Sequence, residues 1–385
     1  MNVKKAGIAT PVLVGVLVVV VVIAVAVVFV FTQSGGNKNT MSSSSSTSGL
    51  FSFTGSFQLQ AAGSSFVNPI MQTWIFQFQN LTHDQITDNY QPIGSGAGIT
   101  GIFANLYDYA GSDAPVPHAY LAANSSGRTL LQIPEALGSI AIFYNIPGVK
   151  ASLNLTGPIL AGIYNGSITS WKDARITALN PGVNLPPSTI VPVHRSDGSG
   201  TTYALTSYLA TQSPSWRSTI GVGTAVNWPS FELASKGSSG VAGTVSTTPD
   251  SIGYADSFYA FDNGITAAAI KNSAGVFQKP SIAGAAAAAS AFSNQVQNNA
   301  TFPIVNAPGA DSYPIATYTY LLVWANQPSA TKADVLTQFF WWIVSQGQAF
   351  APKLFYAPLP ASVVTIDEGL IKQINFNGQS YVPSS

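Results

Sequence analysis

The segment "HRSDGSGTTY", His194 to Tyr203, gathers an arginine, an aspartate and a run of small hydroxyl-bearing residues. The chain has four arginines, Arg128, Arg175, Arg195 and Arg217, so a guanidinium in this setting stands out. An arginine forks onto two oxygens of one anion, and Gly and Ser surround it with backbone and hydroxyl donors. The same design recurs in "AAGSSF" (61–66) and "IGSGAG" (93–98): a strand-like run, then Gly and Ser, then a helical pattern. Glycine lets the backbone turn tightly and approach a ligand closely. The first helical turn leaves N–H donors and a positive dipole end free, which binds anions without formal charge. If the three turns converge, Ser65, Ser95, Ser199 and Thr201 present hydroxyls to one small oxyanion. Taken singly, each turn is more often an ordinary helix cap than a site, because Ser and Gly are common there. The arginine is what sets 195–202 apart.

Asp113, in "GSDAP", changes the chemistry. Local sequence alone explains it as an Asx turn before a proline. In an anion pocket it has a second use. An ionised carboxylate only accepts hydrogen bonds, so an oxyanion that still carries a proton, such as phosphate, can donate to it. Sulfate, fully ionised near neutral pH, cannot. Discrimination that rests on an unmade buried hydrogen bond is large.

Other chemistries find little support. "GAGITG" (96–101) satisfies G-x-G-x-x-G, but the acidic partner expected about twenty residues on would have to be Asp113, in an unsuitable context. The absence of cysteine excludes disulfides, thiolate zinc sites and Cys nucleophiles. His83, His118 and His194 have no metal-ligand spacing, and no G-x-S-x-G elbow occurs. His194 sits beside Arg195, yet adjacent strand residues point to opposite faces. The expectation is a binding protein, not an enzyme, with no cofactor and no metal. Charged residues are only 8% and the net charge is zero, which disfavours nucleic acid, whose phosphates need clustered Lys and Arg. A surface kept wet by Ser, Thr, Asn, Gln and Tyr suits an acidic exterior.

Hydrophobic residues make up 46% and aromatics 11%, enough for a large core. "SFQLQAAG" (56–63), "SIAIFYNI" (139–146), "TIVPVHR" (189–195) and "SIGYADSFY" (251–259) read as strands. "NPIMQTWIFQFQNL" carries Ile70, Met71, Trp74, Ile75 and Phe78 at helical spacing. "PSIAGAAAAASAFSNQVQNN" (280–299) and "TKADVLTQFFWWIVSQGQAF" (331–350) read as helices. In the second, Phe339, Trp342 and Ile343 share a face, so "FFWWIV" is core rather than a carbohydrate platform. Alternation of this kind indicates an α/β fold.

Ahead of this body, Lys4 and Lys5 precede an uncharged run from Gly7 to Phe31, long enough to span a bilayer as a helix. A cleaved signal has a shorter apolar core, so residues 1–32 are expected to be a retained anchor, with a processed signal segment as the alternative. The lysines then stay in the cytoplasm and everything after Thr32 lies outside. Residues 33–49 are a Ser/Gly-rich tether. Sequons at Asn80, Asn124, Asn154, Asn165 and Asn299 fit an extracellular glycoprotein.

At these motifs the chain resembles the phosphate-binding subunits of ABC-type phosphate importers, collinearly over most of residues 56–365. "AAGSSFVNPI" looks like the family's first loop, G-A-[ST]-F-x-x-P, and "YQPIGSGAGITGI" like its second. "GSDAPV" looks like its carboxylate turn and "HRSDGSGTTYALTSYLA" like its arginine loop. Carried over, the ligand contacts fall on Ser65, Phe66, Ser95, Asp113, Arg195, Ser199, Gly200 and Thr201, with Phe66 and Gly200 acting through backbone N–H. Asp197 resembles the aspartate that holds the binding arginine. Ser65 departs from the Thr of many relatives but keeps the hydroxyl. The Val-rich anchor and Ser-rich tether are more like archaeal or Gram-positive surface-tethered proteins.

The resemblance implies a two-lobed periplasmic-binding-protein-like (type II) fold with the ligand cleft between lobes. Residues 50–136 and 312–385 would form lobe I and 137–311 lobe II. It further implies a monomer on the outer face of the cell membrane that passes phosphate to ABC transporter permease subunits. Arsenate, or another protonated oxyanion, fits the same residues. A surface phosphatase would need a nucleophile with a base, or a metal.

Overall fold

The computed structural model describes residues 51–382 apart from Ser52, Thr54, Ser125 and Ser126. The expected anchor (1–32) and linker (33–49) lie outside the described residues. Among those described, no helix is long and apolar enough to cross a membrane.

The main strands are β1 (Phe57–Gly63), β2 (Ile86–Gln91), β3 (Tyr109–Ser112), β4 (Leu130–Asn145), β5 (Val191–Arg195), β6 (Leu233–Ser235), β7 (Ser251–Asp256) and β8 (Ala316–Trp324). With Thr266–Ala267 beside β4 they form one nine-stranded sheet, in the order β2-β1-β3-β8-β4-β7-β5-β6. β1 is parallel to β2 and β3. β5 is parallel to β6 and β7. The two parallel sets are joined through antiparallel β8 and the long β4. Leu130–Ser139 of β4 pairs with β8, and Ile140–Asn145 pairs with β7. One continuous strand therefore passes from one half of the sheet to the other, which gives the two-lobed α/β architecture. β4 is almost wholly buried from Ile133 to Tyr144, and all nine residues of β8 are buried. Such runs are apolar on both faces because helices cover both.

The helices that matter are α1 (Asn68–Leu81), α2 (Ser95–Phe103), α3 (Gly200–Gln212), α4 (Gly237–Thr247), α5 (Ser257–Asp262) and α6 (Ala330–Val344). α1 buries Ile70, Met71, Trp74, Ile75 and Phe78, the stripe its spacing predicts. α6 buries Phe339, Trp342 and Ile343.

Four expected boundaries differ, the first being the strand expected over 139–146, which begins at Leu130. The strand expected over 251–259 stops at Asp256, whose side chain accepts from Phe258 N–H and starts α5. The helix expected over 280–299 is two, Ile282–Ala291 and Ser293–Asn298, broken at Phe292. The one expected over 331–350 ends at Val344 and continues as a 3-10 segment from Gln346 to Leu354.

α2 is set tightly on β1 and β3 by Gly98. A Cβ there would lie 2.7 Å from Gly63 Cα and 3.0 Å from Ala62 O. Backbone cannot yield as a flexible side chain does, so Gly98→Ala should cost about 1–3 kcal/mol. Denaturant unfolding reads this as a lower midpoint at unchanged slope.

Candidate anion-binding site

The parallel strands end on one crevice. β1, β2 and β3 deliver Gly63, Gln91 and Ser112; β5, β6 and β7 deliver Arg195, Ser235 and Asp256. Ligands in open α/β sheets bind outside the carboxyl ends of strands, and here two such sets face each other.

The turns expected to converge do so, with direct bonds between the two halves. Gly200 N–H donates to Ser95 Oγ at 3.0 Å. Thr201 Oγ1 donates to Asp113 Oδ2 at 3.3 Å. Ser238 N–H donates to Ser65 Oγ at 3.0 Å, and the two hydroxyls lie 3.2 Å apart. Gly96 N–H reaches Gly198 O at 2.9 Å. Ser65, Phe66, Ser95, Asp113, Arg195, Ser199, Gly200 and Thr201 are all buried.

Their local roles differ. α2 begins at Ser95 and α3 at Gly200, so these two turns are helix starts as read from sequence. "AAGSSF" also precedes a helix, α1, which starts two residues after it at Asn68 behind the N-cap Val67. Ser199 is the N-cap of α3 and accepts from Thr202 N–H at 3.2 Å, so its side chain does the capping that local sequence allows. Ser95 Oγ accepts from Gly200 N–H and from Asp113 N–H, the latter at 3.2 Å. With two accepted bonds, its one proton is left to donate.

Arg195 is held by Asp197: Nε donates to Oδ1 at 2.8 Å and Nη2 pairs with Oδ2. Gly237 N–H also donates to Asp197 Oδ1, at 3.0 Å. Burial works against the Asp197 anion, but the guanidinium and this N–H hold its carboxyl below the usual range. Asp113 is in the opposite position. Burial pushes its carboxyl up to about 6, against the pull of Ser64, Arg195 and Thr201. Two more acids lie nearby, Glu135 and Asp256. Burial and the Asp113 charge raise both well above the carboxylate range. His194 does not join the cluster; it stacks on Trp228 at 5.1 Å.

Sequence reasoning missed five residues. Ser238 lies at the start of α4 in "KGSSG", a fourth Gly/Ser turn after a strand, and the pattern was there to be extended. Ser64, next to Ser65, donates to Asp113 Oδ1. Three tyrosines hold three consecutive carbonyls: Tyr90 OH donates to Ser64 O at 2.8 Å, Tyr259 OH to Ser65 O at 3.2 Å, and Tyr356 OH to Phe66 O at 2.5 Å. In a planar trans peptide the carbonyl and the next N–H point oppositely. Fixing these carbonyls therefore aims the N–H groups of Ser65, Phe66 and Val67. Tyrosines scattered from 90 to 356 carry no local signal of that task.

The PBP superfamily domain matches residues 44–346. The phosphate-binding protein PstS of Xylella fastidiosa (strain Temecula1) is 37% identical over 312 residues, covering 81% of this chain and 84% of that protein. PstS of Methanocaldococcus jannaschii is 34% identical over 337 residues, covering 82% and 86%. The chain belongs to the phosphate-binding protein family. In fold it is similar to a phosphate-binding protein from Stenotrophomonas maltophilia, with a TM-score of 0.64 at 19% identity, covering 82% of this chain and 94% of that one. These relatives are named as phosphate-binding proteins.

The family fold works here only if the turns approach closely. A Cβ on Gly200 would lie 2.6 Å from Asp113 Cβ and from its carbonyl carbon. Gly200→Ala should therefore loosen the contact between halves by roughly 1–3 kcal/mol while each half stays folded. Amide hydrogen exchange would read this at Gly96 and Ser238, whose bonds cross the cleft, as an acceleration of about tenfold or more; unchanged protection there would contradict it.

Proposed function

We propose that this protein is an extracytoplasmic receptor that captures inorganic phosphate and delivers it to an ABC-type import permease, without turning it over. The carrying observation is a buried carboxylate, Asp113, set among hydroxyl and N–H donors beside one guanidinium. Arg195 is already matched by Asp197, and Asp113 adds a further negative charge. An anion in this cleft is therefore held by fixed dipoles rather than by net charge.

In this reading Arg195 Nη1 and the hydroxyls of Ser65, Ser95 and Ser199 donate to phosphate oxygens. Thr201 turns its one proton from Asp113 Oδ2 to the anion, and Asp113 accepts from the protonated oxygen in its place. The N–H groups of Phe66 and Gly200 donate to Ser64 Oγ at 2.9 Å and to Ser95 Oγ. They reach the anion by sharing those bonds, each N–H placed between its hydroxyl and a phosphate oxygen. Asp197 keeps the guanidinium fork in place. One ion bridging both sets of donors would drive closure of lobe I (50–136 and 312–385) on lobe II (137–311). Residues 1–32 would anchor the monomer in the cell membrane, with 33–49 as tether and the binding body outside.

Titration of the full-length protein with phosphate and with sulfate tests the reading. Phosphate should bind and sulfate should compete poorly; equal affinity for the two would sink it. Arg195→Ala should lower phosphate affinity by roughly a hundredfold, the scale of a lost charged hydrogen-bonding group. Asp113→Asn should weaken phosphate less than it weakens rejection of sulfate.

The pH dependence has a definite sign. Asp113 must be ionised to repel sulfate, so discrimination is complete well above about 6, about half lost at that value and gone well below it. Competition measured across that window checks it.

A further inference from the structure

Ser64 lies beside the residues assigned to the ligand, and its hydrogen bonds have one possible direction. It is fully buried. Its Oγ accepts from Phe66 N–H at 2.9 Å and from Val67 N–H at 3.4 Å. Backbone N–H groups are donors only, so they occupy the acceptor capacity of the hydroxyl. The single proton of Ser64 must then go elsewhere, and the acceptor in reach is Asp113 Oδ1. Tyr90, Tyr259 and Tyr356 fix the carbonyls of Ser64, Ser65 and Phe66. Neither amide can turn away without breaking one of those bonds.

We propose that Ser64 is a specificity-determining residue of this site: it transmits the polarity of the Phe66 and Val67 amides to Asp113 and holds that carboxylate as an acceptor. A protonated oxygen on Asp113 facing Ser64 would set two hydrogens against each other, so Oδ1 stays bare, and the bond it accepts favours the ionised carboxylate. The ligand proton is then read by Oδ2, the oxygen that also meets Thr201. A Ser64 that served only as a turn cap would satisfy the two amides equally well without regard to what lies beyond its proton.

The groups facing Asp113 decide how much depends on this bond. Arg195 on β5 favours the anion. Glu135 on β4, Asp256 on β7 and the phenols of Tyr90, Tyr320 and Tyr356 couple to it unfavourably when charged. Against that surrounding acidity, a lost donor raises the Asp113 pKa, and the carboxyl protonates at higher pH.

The inference rests on the phosphate-receptor reading, and its test separates the two. Full-length protein is titrated with phosphate and sulfate from about pH 5 to about pH 8, bracketing the Asp113 titration. Ser64→Ala is compared in the parent and in an Asp113→Asn background, as a double-mutant cycle. In the parent, Ser64→Ala should lower the phosphate-over-sulfate ratio by about tenfold, the scale of one hydrogen bond to a charged group. The pH at which selectivity is lost should move up. In the Asp113→Asn background the ratio should not move. Ser64→Cys, a weak donor in the same place, should change the ratio in the same direction by less; it serves also if the alanine variant does not fold. An unmoved ratio in a selective parent, or an equal fall in both backgrounds, overturns the inference alone. A parent that takes no phosphate overturns the receptor reading and this inference together.

Discussion

The site is organised around a carboxylate that has been taken out of water and left with donors. Asp113 meets Ser64 from its own half of the sheet and Thr201 from the other. Burial opposes its charge, so every donor aimed at it both stabilises the anion and fixes its orientation. A cleft built on such a group cannot be adjusted piecemeal. Moving any one turn away exposes a buried acceptor without a partner, which costs free energy comparable to the bonds being lost.

The sheet makes this possible by bringing the carboxyl ends of two parallel sets together. Among the described residues only one strand, β4, pairs with partners in both halves, switching between Ser139 and Ile140. The turns can then approach to the distance that glycine allows, as Gly96 against Gly198 and Gly200 against Asp113 demonstrate. The low charge of the chain has a counterpart here. The single guanidinium at the centre is neutralised by Asp197, and anion recognition falls to N–H and O–H dipoles, which cost no net charge.

Much of this was legible in the chain. Strand, Gly/Ser turn and helix recur at 61–66, 93–98 and 195–202, and the structure starts α2 at Ser95 and α3 at Gly200, inside the last two of these stretches. The fourth turn at Gly237 has the same composition and was readable by the same rule. Boundaries were less legible where one residue arbitrates between two elements. Asp256 turns an apparent strand into a helix start by capping Phe258, and Phe292 splits an alanine-rich helix in two.

Local sequence by itself determined the apolar periodicities, the turns that must open into helices, and the one arginine placed among hydroxyls. These are properties of residues a few positions apart, and neighbours decide them. Only the tertiary structure decided that Ser95 would meet Gly200, that Ser65 would meet Ser238, and that Tyr90, Tyr259 and Tyr356 would hold one loop. Those pairings join positions far apart in the chain, and a hydrogen bond leaves no periodic trace in either of the segments it joins.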